Sequence, residues 1–183
     1  SARTLVRRLC LDGDGERDMS DLQVQILMGS GSDASVMANT VRTLRELGIT
    51  SDMTVASAHR SPDRVRRVME QALERGVKVF VVGAGAAAHL AGVVAAHTAL
   101  PVIGVPIDSS PLGGFDALLA TVQMPPGVPV ATVAVGKAGA TNAAVLAAQI
   151  LAVGDAAIAS RLDDYRRGLA EKVERAAAEL KSI

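Results

Sequence analysis

Aromatic residues are almost missing from this chain, which has two phenylalanines, one tyrosine and no tryptophan. It therefore offers few faces on which nucleic-acid bases stack. Its 19 basic and 19 acidic residues cancel, so there is no cationic excess to track a phosphate backbone. Both deficits argue against a nucleic-acid partner. Cysteine is nearly absent as well, Cys10 being the only one. One thiol makes neither a disulfide framework nor a cysteine metal site, and it favours a reducing compartment, the cytoplasm. No apolar run approaches the ~18 residues of a membrane span, so a membrane partner is not expected either.

What is present falls into two parts. Residues 1–20, SARTLVRRLCLDGDGERDMS, begin basic, turn acidic and hold no sustained period. They read as a disordered tail, since the acids and the lack of a small-residue cleavage signature disfavour a targeting peptide. Residues 21–183 are expected to form a single α/β domain. From Gln23 on, the apolar runs QVQILM, DMTVA, VKVFVV, LPVIGVPI and VPVATVAV alternate with longer segments of helical character. Strand-sized runs separated by helix-sized segments imply βαβ units and a parallel sheet covered on both faces. The expected fold is a three-layer α/β/α, flavodoxin-like, doubly wound sheet of five strands in the order 2-1-3-4-5. An extra C-terminal helix follows over residues 155–183. The segment Ala140 to Val153 is apolar nearly all round apart from its first turn and Gln149. That predicts a helix buried on every side, with a second subunit as the simplest cover.

In such sheets ligands gather at the carboxyl ends of the strands, near the reversal of winding. The stretches there are GSGSD, SAHRSP, GAGAAAHL, the loop from Asp108 to Gly114, and GKAGATN; together they hold two of the three histidines. GSGSDASVM suits an anion such as phosphate at a helix start, with Ser30 or Ser32 as cap; a capped tight turn is the plainer alternative. It satisfies a loose dinucleotide fingerprint, but so does GAGAAA. The acid that would hold a ribose is missing from the end of the second strand, where Ser57 and His59 stand instead. A Walker lysine is missing too.

In SAHRSP, Ser61 is the expected N-cap and Pro62 the first helical residue. His59 then lies beside the positive end of a helix, whose field disfavours imidazolium and leaves the ring able to accept a proton. Arg60 offers a planar cation for phosphate or carboxylate. A structural histidine beside a solvated arginine is the alternative. His89, expected about one turn into a helix, either lines the pocket or bonds locally. His97 is assigned no role. Lys137 meets an anion or is a surface lysine. Asp108 to Gly114 has the glycine and proline content of a loop able to close over a site.

Taken together, MGSGSD, SAHRSPD, GAGAAAHLAG, LPVIGVPI and VQMPPGVPVATVAVGKAGATNAAVLAAQIL, in this order from about Val24 to Val153, resemble the N5-carboxyaminoimidazole ribonucleotide mutases. These are the catalytic subunits of phosphoribosylaminoimidazole carboxylase. The resemblance implies an isomerase of de novo purine (IMP) synthesis that moves a carboxyl group from an exocyclic nitrogen to ring carbon C4. It implies a homo-octamer with sites at subunit interfaces, a ribonucleotide substrate, and no metal or organic cofactor. His59 would be the catalytic proton carrier. Ser30, Asp33, Ser57, Arg60, Gly85, Ala88, His89 and Leu90 would bind the substrate. A direct carboxylase using carbon dioxide, and a non-catalytic nucleotide-binding scaffold, are the alternatives. The chain departs from the family pattern at Ala86, Ala91 and Ala117, which replace a glycine, a proline and a serine.

Overall fold

The computed structural model describes residues 21–180; the expected tail over residues 1–20, Cys10 and the last three residues lie outside the described residues. The five strands are β1 (Val24–Met28), β2 (Ser51–Val55), β3 (Val79–Gly85), β4 (Val102–Ile107) and β5 (Ala131–Thr132). All neighbours pair in parallel, in the order β2-β1-β3-β4-β5. The helices are α1 (Ala34–Glu46), α2 (Pro62–Glu74), α3 (Leu90–Ala95), α4 (Phe115–Val122), α5 (Gly136–Ala152) and α6 (Ala156–Leu180).

Alternation along the strands builds two cores, one on each face. Val24, Ile26, Met28, Val79 and Val81 pack with Met37, Val41 and Leu44 of α1 and the alanines of α5. Leu27, Phe80 and Val82 pack on the other face with Val65, Met69 and Ala72 of α2 and with Leu90 and Val94 of α3. The spacing of Val65, Met69 and Ala72 is that of one helix face, and the charged residues between them turn outward. Gly83 lets α1 lie close, because a Cβ there would strike the Met37 side chain. The connection after β1 leaves on one face and that after β3 on the other. The crevice of this doubly wound sheet therefore opens between the ends of β1 and β3.

Two elements differ from expectation. The fifth strand is two residues long, pairing only with Ile103 and Gly104; one further bond runs from the Val133 N–H to the Gly104 carbonyl at 3.1 Å. Pro125, Pro126 and Pro129 have no N–H to give to a ladder, and an edge strand tolerates that loss. The second difference is α5, which begins at Gly136 rather than Ala140; its own chain covers only part of it. Ala143, Ala144, Ala147 and Ala148 are buried, whereas Val145, Leu146, Ile150 and Leu151 are only partly covered and Asn142 and Gln149 are exposed. Part of its cover comes from the same chain, from Ile158, Leu162 and Tyr165 of α6. Sequence periodicity cannot distinguish a helix capped by its own successor from one enclosed by another subunit. Asp155 starts α6 by accepting the backbone N–H groups of Ala157 and Ile158 at 2.9 and 3.1 Å. Among the described residues no helix is long and apolar enough to cross a membrane.

Candidate active site

Three adjacent strands, β2, β1 and β3, end side by side, and their following loops carry most of the candidate residues. After β1, the Gly29 N–H donates to the Gly83 carbonyl at 3.2 Å and ties the first loop to β3. A single 3-10 turn, Gly31–Asp33, then precedes α1. Ser30 caps that turn, accepting the Ser32 N–H at 3.4 Å. The Ser32 hydroxyl lies 2.9 Å from Ser30 Oγ and 3.3 Å from Asp33 Oδ1. Asp33 itself is buried. Burial pushes its carboxyl above the ordinary range; the bonds from Ser32 and the Ser30 backbone and the charge of Arg60 pull the other way without cancelling it.

After β2, the SAHRSP turn is a small hydrogen-bonded frame. The Ser57 hydroxyl accepts from the Arg60 backbone N–H at 3.2 Å and from its Nε at 3.4 Å. Arg60 Nη2 donates to the Gly29 carbonyl at 2.8 Å, so the arginine spans the first two loops. Pro62 is the first residue of α2 and Ser61 its N-cap, but the Ser61 hydroxyl caps no helical N–H. It accepts the Ser57 N–H at 3.2 Å and donates to the Ser57 carbonyl at 3.3 Å, closing the turn instead. Arg64 is not among the residues that the sequence singles out. Its Nε donates to the Val55 carbonyl at 2.7 Å and its Nη2 to Thr54 Oγ1 at 3.0 Å, pinning the end of β2. A signal for it exists: side chains in a first turn lean toward the helix N-terminus, here back over the strand.

After β3, Gly85 has no room for a side chain, because a Cβ would overlap Ser109 Oγ at the end of β4. This glycine is required by its neighbour, whatever it does for a ligand. Ala86 takes a left-handed conformation at φ +50°. Ala88 and Leu90 are buried in the core, 0 and 2 % exposed. His89 stands at the N-cap of the short α3, not a turn inside it. Its Nδ1 is 2.9 Å from His59 Nε2, with the rings edge to face at 79°. Both histidines and Arg60 are exposed.

The remaining candidates stay apart from this group. His97 Nδ1 bonds the Val93 carbonyl at 2.7 Å, a local contact. Lys137 is exposed at the start of α5, beyond the edge strand. The Asp108 to Gly114 loop follows β4, beside β3, and its Ser109 lies against Gly85.

A guanidinium, two hydroxyls and a buried carboxyl around a small-residue turn, with an imidazole pair at the switch point of a doubly wound sheet, can hold an anionic small molecule and exchange a proton with it. Comparison with known proteins narrows that class. Residues 23–172 match the family described as AIR carboxylase. N5-carboxyaminoimidazole ribonucleotide mutase of Brucella melitensis is 51% identical over 152 residues, 83% of this chain and 94% of the relative. The mutase of Bacillus subtilis is 52% identical over 82% of this chain and 93% of its own. Among solved structures, Treponema denticola PurE superposes with a TM-score of 0.77 at 30% identity, covering 87% of this chain and 98% of the other. This chain belongs to the AIR carboxylase family.

Proposed function

We propose that this chain is a mutase that converts N5-carboxyaminoimidazole ribonucleotide into the 4-carboxy isomer, in de novo purine synthesis in the cytoplasm. The observation that carries this reading is the exposed His59 imidazole beside an arginine-bridged anion turn, in a chain about half identical to curated mutases. The C–N bond of the substrate breaks, carbon dioxide leaves and the nitrogen gains a proton. Ring carbon C4 then attacks the carbon dioxide and gives up its own proton. His59 gives a proton to the nitrogen and takes back the one that C4 releases, so the ring ends the cycle as it began it. Ser30, Asp33 and Arg60 hold the ribonucleotide, Ser57 fixes Arg60, and Gly85, Ala88, His89 and Leu90 form the third side of the site.

Carbon dioxide that escapes ends the turnover, so the reaction needs a closed, dry site. In one chain His59 and Arg60 stand open to solvent. A homo-oligomer, an octamer by resemblance, supplies cover from neighbouring subunits, and the Asp108 to Gly114 loop supplies a lid, its Ser109 already packed on Gly85.

The family description names a carboxylase, which gives a second reading: direct addition of carbon dioxide to unmodified aminoimidazole ribonucleotide. Assay of the purified protein separates the two. Rapid interconversion of the two carboxylated nucleotides is expected, and turnover only with bicarbonate and the unmodified nucleotide would favour the carboxylase. His59→Asn is expected to lower kcat by about a hundredfold or more while nucleotide binding survives. Undiminished turnover in that variant would remove His59 from the chemistry.

A further inference from the structure

β2 is the outermost strand of the sheet and pairs only with β1. Its last peptide shows what that leaves open. The Ala56 N–H donates inward to the Met28 carbonyl at 2.9 Å. In a planar trans peptide the N–H and C=O point in opposite directions, so the Val55 carbonyl faces off the open edge of the sheet, where no strand bonds it. Arg64 takes that place. Its Nε donates to the Val55 carbonyl at 2.7 Å and its Nη2 to Thr54 Oγ1 at 3.0 Å. Two nitrogens of one rigid guanidinium thus grip two consecutive residues of the strand end.

Arg64 is the third residue of α2, and its own N–H donates to the Ser61 carbonyl at 3.0 Å. It therefore joins the strand that enters the turn over residues 56–61 to the helix that leaves it. Inside that turn the Ser57 and Ser61 bonds fix the backbone path, and Arg64 ties its two ends together. Among the described residues the His59 ring bonds nothing in its own turn, so where it stands follows from the backbone that Arg64 braces. Arg60 reaches the Gly29 carbonyl from the same turn.

We propose that Arg64 is a positioning residue: its two-point grip on Val55 and Thr54 holds the turn that carries His59 and Arg60 in the geometry that turnover needs. Its effect on turnover rests on the mutase reading, whereas the brace itself does not. Arg64 is exposed, and both acceptors lie at the open edge, where water can satisfy them. Removing the guanidinium therefore loosens geometry without leaving a buried polar group unpaired. Loose geometry is enough to matter, since a displacement of about 1 Å can lower a rate by on the order of a hundredfold.

Two replacements test this. Arg64→Ala removes the grip, and Arg64→Lys keeps the charge without the planar fork. In Arg64→Ala, kcat should fall about tenfold or more, while the urea midpoint of unfolding stays close to that of the wild type. Arg64→Lys should recover little of the loss. Tens of millimolar guanidinium, too dilute to unfold a domain, should restore part of kcat to Arg64→Ala where equal sodium chloride does not. In the ligand-free protein, amide hydrogen exchange in Arg64→Ala should quicken across residues 56–61 and stay unchanged in β3 and α1. Unchanged exchange in that turn overturns the proposal, and so does undiminished kcat. A loss confined to KM and recovered in Arg64→Lys would make Arg64 a plain cation for the substrate and would also overturn it. So would a fall in kcat that only follows a lower urea midpoint. If the wild type fails to interconvert the two nucleotides, the mutase reading falls, and the exchange comparison still decides the brace.

Discussion

Asp33 and Ala86 show how single residues on this rim set stability against function. The folded state holds the Asp33 carboxyl above its ordinary value of 3.8 because it is buried. Between that value and the raised one, the folded chain binds more protons than the unfolded chain. Asp33 therefore contributes stability that is present below the ordinary value and lost as pH rises through the folded one. Asp33→Asn removes the titration and keeps the shape. It should unfold at higher denaturant concentration than the wild type near pH 7, and the advantage should vanish in acid. If Asp33 also holds the nucleotide, the same variant should bind it about tenfold or more weakly, the usual loss for a charged hydrogen bond. A variant that is no more stable at neutral pH would show that the buried carboxylate is already well satisfied. Ala86 carries a smaller load. An L-residue in the left-handed region loses about 1–2 kcal/mol to steric strain, and glycine there loses about 0.5–1 kcal/mol more chain entropy on folding. The first exceeds the second, so Ala86→Gly should stabilise the protein by up to about 1 kcal/mol, read from urea unfolding. Destabilisation would mean that Ala86 is held by contacts outweighing its strain.

At the scale of elements, the sheet is readable because strand-sized and helix-sized apolar segments differ in length and alternate five times. Parallel order then follows from the crossover connections. The helix starting at Pro62 is equally plain, since proline is at home only in a first turn. What escapes the sequence is the use made of individual hydroxyls and guanidiniums. Ser61 occupies the cap position but turns its hydroxyl back to Ser57. Arg60 spends one donor on the Gly29 carbonyl, and Arg64 holds the strand end. Such choices depend on which orphan backbone groups lie within reach, and that is known only once the loops are folded. Ala88 and Leu90 illustrate the same limit: a motif shows that they belong to the rim, but only packing shows that they are buried. The fifth strand is shorter than its sequence suggests because valine-rich segments favour extended chain whether or not prolines leave them N–H groups to pair.

At the scale of the whole molecule, the apolar stripe of α6 does not end where its own chain stops covering it. Ile158 and Leu162 are buried against α5, yet Leu169, Val173 and Leu180 on the later turns are 46, 67 and 72 % exposed. Twelve residues from Leu169 to Leu180 make about 18 Å of helix, a length that is marginal in water without tertiary support. The half-covered Val145, Leu146, Ile150 and Leu151 on α5 lack full cover too. A second copy of this chain lying across these surfaces would bury both. We therefore expect the protein to sediment as an oligomer at micromolar concentration. The combined change Leu169→Glu and Val173→Glu removes no buried side chain, so the subunit should keep its circular dichroism while the assembly dissociates. Turnover should fall with it, because an open site releases carbon dioxide before C4 captures it. If the wild type instead sediments as a monomer and turns over fully, each chain must close its own site, and the Asp108 to Gly114 loop becomes the segment that does so.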